Sequence, residues 1–322
     1  MANVQPFRFA VQATHATSAK EWRDLARSVQ DLGYATLFLA DHYLGPGPAQ
    51  RVARWPPQHL APIAAMAMAA ASTDTLRVGC RVFCVDYHVP AVLAKEAATL
   101  DLLSDGRLEF GLGAGWSQAE YRALGLPFAE APHRIDKLRE VVALVKAHWS
   151  GEPLDVRGEH ATAAGYAGLP LPAQRPRPPI MIGGSRKRVL SLAAREADIV
   201  SISNVPFEPV NEAGRTPAQE AAYRFGIVRE SAGDRFGSLE IESSPFFAKV
   251  TADPGASAGR VARALGVSPD GILGHPNVLI GSADLIVDRL VEQRERFGVS
   301  YITVQQEAAA GFAAIAGRLA GQ

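Results

Sequence analysis

Three short stretches carry the residue types that chemistry needs. RLEFGLGAGWSQAEY, at 107–121, places Gly111, Gly113 and Gly115 at alternate positions and then Trp116. Glycine at a strand end removes side chains, so a flat ligand can lie close to the backbone. Relief of crowding between neighbouring strands is the other use of the same pattern. A dinucleotide turn, G-x-G-x-x-G, would need glycine at 116, so this ladder is not spaced for a pyrophosphate. In GGSRKRVLSLAAREAD, Gly183, Gly184 and Ser185 stand between an apolar run and a helical pattern. Free N–H groups and the helix dipole make such a junction an anion site, and Ser185 can cap or donate. Arg186, Lys187 and Arg188 then put positive charge against the dipole, a conflict that a bound polyanion offsets. A solvated basic patch is the plainer alternative. In ADHY, His42 closes a third apolar run, and imidazole is the side chain that holds or releases a proton near neutrality. Asp41 beside it can orient that ring or bond a ligand.

Positioning these residues requires a regular scaffold. Short apolar runs at 7–12, 36–40, 76–83, 107–113, 179–184, 198–203, 245–250 and 301–305 alternate with helical patterns. In SAKEWRDLARSVQDLG, Trp22, Leu25, Ala26, Val29 and Leu32 fall on one stripe, and Gly33 sits where a C-terminal cap is wanted. Eight strands, each followed by a helix, predict an α/β fold, a (β/α)8 TIM barrel, with an open doubly wound sheet as the alternative. Long insertions follow strands 2, 4 and 7, at 45–58, 150–178 and 251–280, and no domain boundary shows within 1–322. In a barrel, the first and third of these lie at the C-terminal face, where active sites form.

The bulk properties exclude several classes of function. The 322 residues carry 33 basic and 33 acidic side chains, so there is no general pull toward nucleic acid or an anionic membrane. The longest apolar run, 60–72, is too short to span a bilayer, and the N-terminus lacks the regions of a signal peptide. Cys80 and Cys84 share a strand face but cannot easily bridge, and no ligand cluster points to a metal. A cytoplasmic protein with free thiols is the expectation.

RLEFGLGAGWSQAEYRALGLPF, followed by HRIDKLREVVALVKAHWSGEP, resembles the bacterial luciferase-like monooxygenase superfamily, as do LGYATLFLADHY and PPIMIGGSRKRVLSLAAREADIVS. The likeness runs from about residue 7 to 305 and looks nearest to the actinobacterial branch of coenzyme F420-dependent oxidoreductases. It implies a barrel holding a deazaflavin or flavin at its C-terminal face, with the cofactor phosphate at Gly183, Gly184 and Ser185. It implies His42 beside the ring as a catalytic residue, and Asp41, Gly113, Ala114 and Gly115 as cofactor neighbours. It also implies a non-proline cis peptide at Cys80–Arg81 behind the ring. F420 is the expected cofactor and FMN the alternative, because the basic triplet, with Arg51 and Arg54 as helpers, suits the longer anion. Trp116 departs from the pattern: the sugar-phosphate dehydrogenases of this group carry a catalytic glutamate there. That puts sugar-phosphate oxidation in doubt and makes Trp116 a wall of the substrate pocket, or a packing residue. The implied partners are a small-molecule substrate, a second copy of the chain, and a flavin reductase if the cofactor is FMN. A flavin-binding protein without catalysis, or a metal-dependent hydrolase, is less well supported by these residues.

Overall fold

The computed structural model describes residues 5–53 and 55–322. Among the described residues, twelve strands occur in the order β1 (Arg8–Gln12), β2 (Thr36–Leu39), β3 (Arg77–Cys84), β4 (Leu108–Gly113), β5 (Pro153–Arg157), β6 (Thr162–Ala167), β7 (Ile180–Gly184), β8 (Ile199–Ile202), β9 (Glu240–Ser243), β10 (Phe247–Val250), β11 (Val278–Gly281) and β12 (Val299–Gln305). Eight of them close a parallel barrel in the order β1-β12-β9-β8-β7-β4-β3-β2, with helices between successive strands. The strands are apolar because both of their faces are covered: β2 and β8 are buried along their whole length. Helix Ala19–Asp31 buries Trp22, Ala26 and Val29, as its stripe predicts, and Gly33 follows it at φ +81°. The alanine-rich run forms helix Pro62–Ala71, whose Ala65 carbonyl accepts a hydrogen bond from Trp22 Nε1 at 2.8 Å.

One strand differs from expectation. The apolar run at 245–250 supplies β10, which pairs in parallel with β11 outside the barrel. The barrel position belongs to the polar EIES segment of β9, with Glu242 fully buried. Phe247 is apolar because it packs on a small core of its own, built from Ala258, Ala262, Ile272, Val278 and Ile280. The insertion after β4 carries the antiparallel β5–β6 hairpin.

Two compact units make up the chain: one is Gln12–Asp31 with Thr36–Gly183, and the other holds the chain up to Val11, Leu32–Ala35 and Gly184–Gln322. Among the described residues, no helix is long and apolar enough to cross a membrane.

Candidate active site

The chemistry-bearing side chains gather in the unit that contains β2, β3 and β4. Past the end of β4, Ser117 caps the short helix Gln118–Ala123 by accepting from the Glu120 backbone N–H at 3.4 Å. The Glu120 side chain is 1% exposed. One of its oxygens meets His42 Nδ1 at 2.5 Å, and the other accepts from the Tyr43 backbone N–H at 2.7 Å. Burial raises the pKa of this carboxyl. The His42 hydrogen bond and charge, the Tyr43 N–H and the Tyr87 hydroxyl outweigh that and hold it below its ordinary value. Glu120 is therefore ionised at neutral pH and accepts, so Nδ1 of His42 carries a hydrogen. Nε2 is then the ring nitrogen that the Glu120 contact leaves over.

Two indoles border that imidazole. The Trp55 ring lies 4.7 Å from it at 36°, and Trp116 stands edge-on at 5.8 Å. The two tryptophans are 6.1 Å apart, and Trp116 is 56% exposed. That exposure sets aside core packing as the role of Trp116.

Asp41 orients a different histidine from the one beside it. One oxygen accepts from the Cys84 backbone N–H and meets His88 Nε2, each at 2.9 Å, while the other accepts from the Tyr43 hydroxyl at 2.8 Å. With the residue 2% exposed, its carboxylate is spent on tying the end of β2 to the end of β3. Of the two uses expected of Asp41, orienting the His42 ring is thus replaced by orienting His88.

The glycine ladder makes room for the protein's own atoms. A Cβ at Gly113 would press on Val82 Cγ2 at 2.6 Å, and one at Gly111 on the Cys80 carbonyl. Gly115 has φ +72°, and a Cβ there would collide with the Tyr121 hydroxyl and with Cys84 Sγ. Ala114 and Gly115 are part-exposed at the turn, where Arg134 Nε donates to the Ala114 carbonyl at 3.1 Å. Beneath them the Tyr121 hydroxyl bonds Asp86 at 2.7 Å and lies 3.1 Å from Cys84 Sγ, and Lys137 pairs with Asp86 at 2.7 Å. Burial pushes the Cys84 thiol up to about 12, so it is not a nucleophile at neutral pH.

The non-proline cis peptide is Arg81–Val82, one residue beyond the Cys80–Arg81 bond expected, where the β3–β4 register shifts. Cys80 is fully buried, and burial raises its thiol well above the usual range. Arg81 donates to Gln12 Oε1 at 2.8 Å, whereas the Gln12 amide nitrogen, in a residue 1% exposed, has no partner.

At the end of β7, Gly183, Gly184 and Ser185 are part-exposed. Helix Lys187–Glu196 takes Arg186 as its N-cap, with no side-chain cap bond, so Ser185 is not the cap that its position suggested. Arg186, Lys187 and Arg188 are exposed, as is Arg51 on helix Pro48–Ala53; Arg54 lies outside the described residues. Among the described residues, no group of three His, Cys, Asp or Glu could hold a metal ion.

The structure thus joins His42 and Trp116 and adds Glu120, Trp55, Tyr43 and His88. Sequence gave one signal for Glu120, the S-x-x-E spacing at 117–120, which marks a helix start but not the histidine 78 positions away.

A closed barrel with a carboxylate-held histidine at a strand end defines an enzyme-like architecture. The chain belongs to the luciferase-like monooxygenase family, whose model matches residues 2–229. It is 33% identical over 109 residues to an FMNH2-dependent dimethylsulfone monooxygenase of Pseudomonas putida, covering 34% of this chain and 30% of that one. Over 201 residues it is 29% identical to an F420-dependent glucose-6-phosphate dehydrogenase of Microbacterium testaceum, covering 60% of this chain and 55% of the relative. The chain therefore spans about a third to a half of these relatives' lengths. The F420-dependent tetrahydromethanopterin reductase of Methanopyrus kandleri shares the fold, with a TM-score of 0.72 at 17% identity over 96% of this chain and 98% of that one. Family and neighbours are oxidoreductases and monooxygenases that use either F420 or FMN.

Proposed function

We propose that the protein is an oxidoreductase moving a hydride between coenzyme F420 and a small organic molecule, with His42 and Glu120 handling the accompanying proton. The observation that carries this reading is the ionised, buried Glu120 on His42 Nδ1, which leaves Nε2 as a proton acceptor beside an exposed tryptophan. A bound deazaflavin supplies hydride chemistry without activating oxygen.

The residues present fit such a group in one respect: the Gln12 amide N–H is a buried donor without a protein partner, suited to a ring carbonyl. His42 takes or returns the proton at Nε2. Glu120 fixes its tautomer and stabilises the charged ring, and Trp55 and Trp116 keep water from it.

A second reading, an FMN-dependent monooxygenase fed by a separate reductase, draws support from the identity with the dimethylsulfone enzyme. Anaerobic assays of F420 reduction and reoxidation against a panel of alcohols and ketones separate the two. Turnover without oxygen supports the first reading. Turnover that needs both oxygen and reduced FMN replaces it with the second.

A further inference from the structure

A cleft of about 560 Å³ lies wholly within the unit that holds Gly184–Gln322, and none of its lining residues belongs to the His42 site. Small-molecule pockets span roughly 300 to 1,000 Å³. Strand β10 forms one wall, helix Pro254–Leu265 a second, and the end of β12 with the turn Gln306–Ala308 a third. The apolar part of this cleft is braced from behind. Phe246 is 41% exposed, and its ring lies 5.0 Å from that of Phe207. Phe207 also stands 6.2 Å from Phe247 and stacks on the buried His275 at 4.2 Å. Phe247 and Val261 rest on the small core, and Val250 is exposed beside them. Rings held in this way lose little freedom when a ligand covers them, and covering them is favourable.

The charged part is unbalanced. Lys249 on β10 and Arg260 on the facing helix border the cleft, and both are exposed. Arg260 Nη2 donates to the buried Ser257 Oγ at 3.2 Å, which steadies the guanidinium without neutralising it. Among the described residues neither cation is ion-paired, and Glu307 is the one carboxylate that borders the cleft. The positions outside that range, 1–4 and 54, include no Asp or Glu. Two cations against one carboxylate leave a net positive charge, which attracts a monoanion and repels an ammonium.

We infer that this cleft is a second ligand site and that it takes an apolar monocarboxylate. Lys249 and Arg260 hold the carboxylate, and the hydrocarbon body lies on Phe246, Phe247 and Val250. The inference goes beyond the hydride-transfer reading and does not rest on it, since no residue of the proton-handling pair takes part.

The test is titration calorimetry of the intact chain with butanoate, hexanoate, octanoate and octylammonium. Saturable binding of the carboxylates is expected, tightening about two- to fourfold for each added methylene, with no binding of the ammonium. The double variant Lys249→Gln, Arg260→Gln should weaken octanoate about three- to tenfold, as exposed charge pairs do. Phe246→Ala should flatten the dependence on chain length. Glu307→Gln removes the opposing charge and should tighten octanoate about two- to fivefold, a gain that a misfolded variant cannot imitate. Absence of octanoate binding, equal binding of octylammonium, or unchanged affinity in the double variant would overturn the inference. So would octanoate binding that is lost in His42→Ala and kept in the double variant, because it would place the ligand in the other site.

Discussion

Replacing Glu120 by Gln is the most informative single change. The carboxylate accepts from Tyr43 N–H at 2.7 Å and meets His42 Nδ1 at 2.5 Å in a side chain with 1% exposure. An amide has one acceptor oxygen for these two donors. If that oxygen faces Tyr43, the NH2 faces His42, and Nδ1 must give up its hydrogen, which moves the proton to Nε2. If it faces His42, a buried Tyr43 N–H meets an N–H. Either way a charge-assisted bond of about 1.5 to 3 kcal/mol becomes a neutral one or none, a loss of about 1 to 2 kcal/mol in stability. The kinetic cost is larger, because the imidazole loses the tautomer and the counter-charge it needs as a base. General acid–base catalysis contributes about 100- to 10,000-fold, and a fall in kcat of about 100-fold is expected. The assay is steady-state F420 reduction across pH 5 to 9, with F420 affinity measured separately. An unchanged kcat and pH profile with a correctly folded variant would refute the proton-handling pair.

Further outcomes follow from the same geometry. Gly115→Ala forces a side chain to φ +72° and into the Tyr121 hydroxyl and Cys84 Sγ, so a loss of about 2 to 4 kcal/mol is expected in denaturant unfolding. In the other compact unit, Glu220 pairs with Arg215 at 2.7 Å and with the buried Arg224 at 2.8 Å. Glu220→Leu leaves Arg224 uncompensated and should cost about 3 to 5 kcal/mol, visible as a lower melting temperature. Burial lowers the pKa of His148 and His275, so the fold favours their neutral forms. The unfolded chain then binds more protons. Stability is full above the ordinary histidine value of about 6.5 and falls as pH drops below it. Glu120 and Glu220, held below their ordinary values, add a second loss of the same sign at lower pH. Calorimetry from pH 8 to 4 should show a melting temperature that is level above about pH 6.5 and falls below it, and a rise between about pH 6.5 and 5 would contradict this assignment.

Most of the barrel is written in local pattern. Seven of the eight barrel strands coincide with apolar runs, since a strand covered on both faces must be apolar along its length. The exception is β9, where Glu240, Glu242 and Ser243 read as loop in isolation and are buried or part-buried in place. Its apolar neighbour, β10, drew the assignment because it belongs to a separate small core. His42 and Trp116, which the sequence singles out by residue type, do lie together. The site was not legible where a long-range partner decides the role. Nothing local pairs Glu120 with His42 or Asp41 with His88, and the cis bond lies one residue from its expected position, within the register shift between β3 and β4.

The most direct test is equilibrium titration of the purified apoprotein with F420 and, separately, with FMN, followed by fluorescence quenching of each. Hydride transfer with F420 predicts binding of F420 at about micromolar or tighter, with FMN weaker by at least about tenfold. Tight FMN binding with weak F420 binding would contradict it.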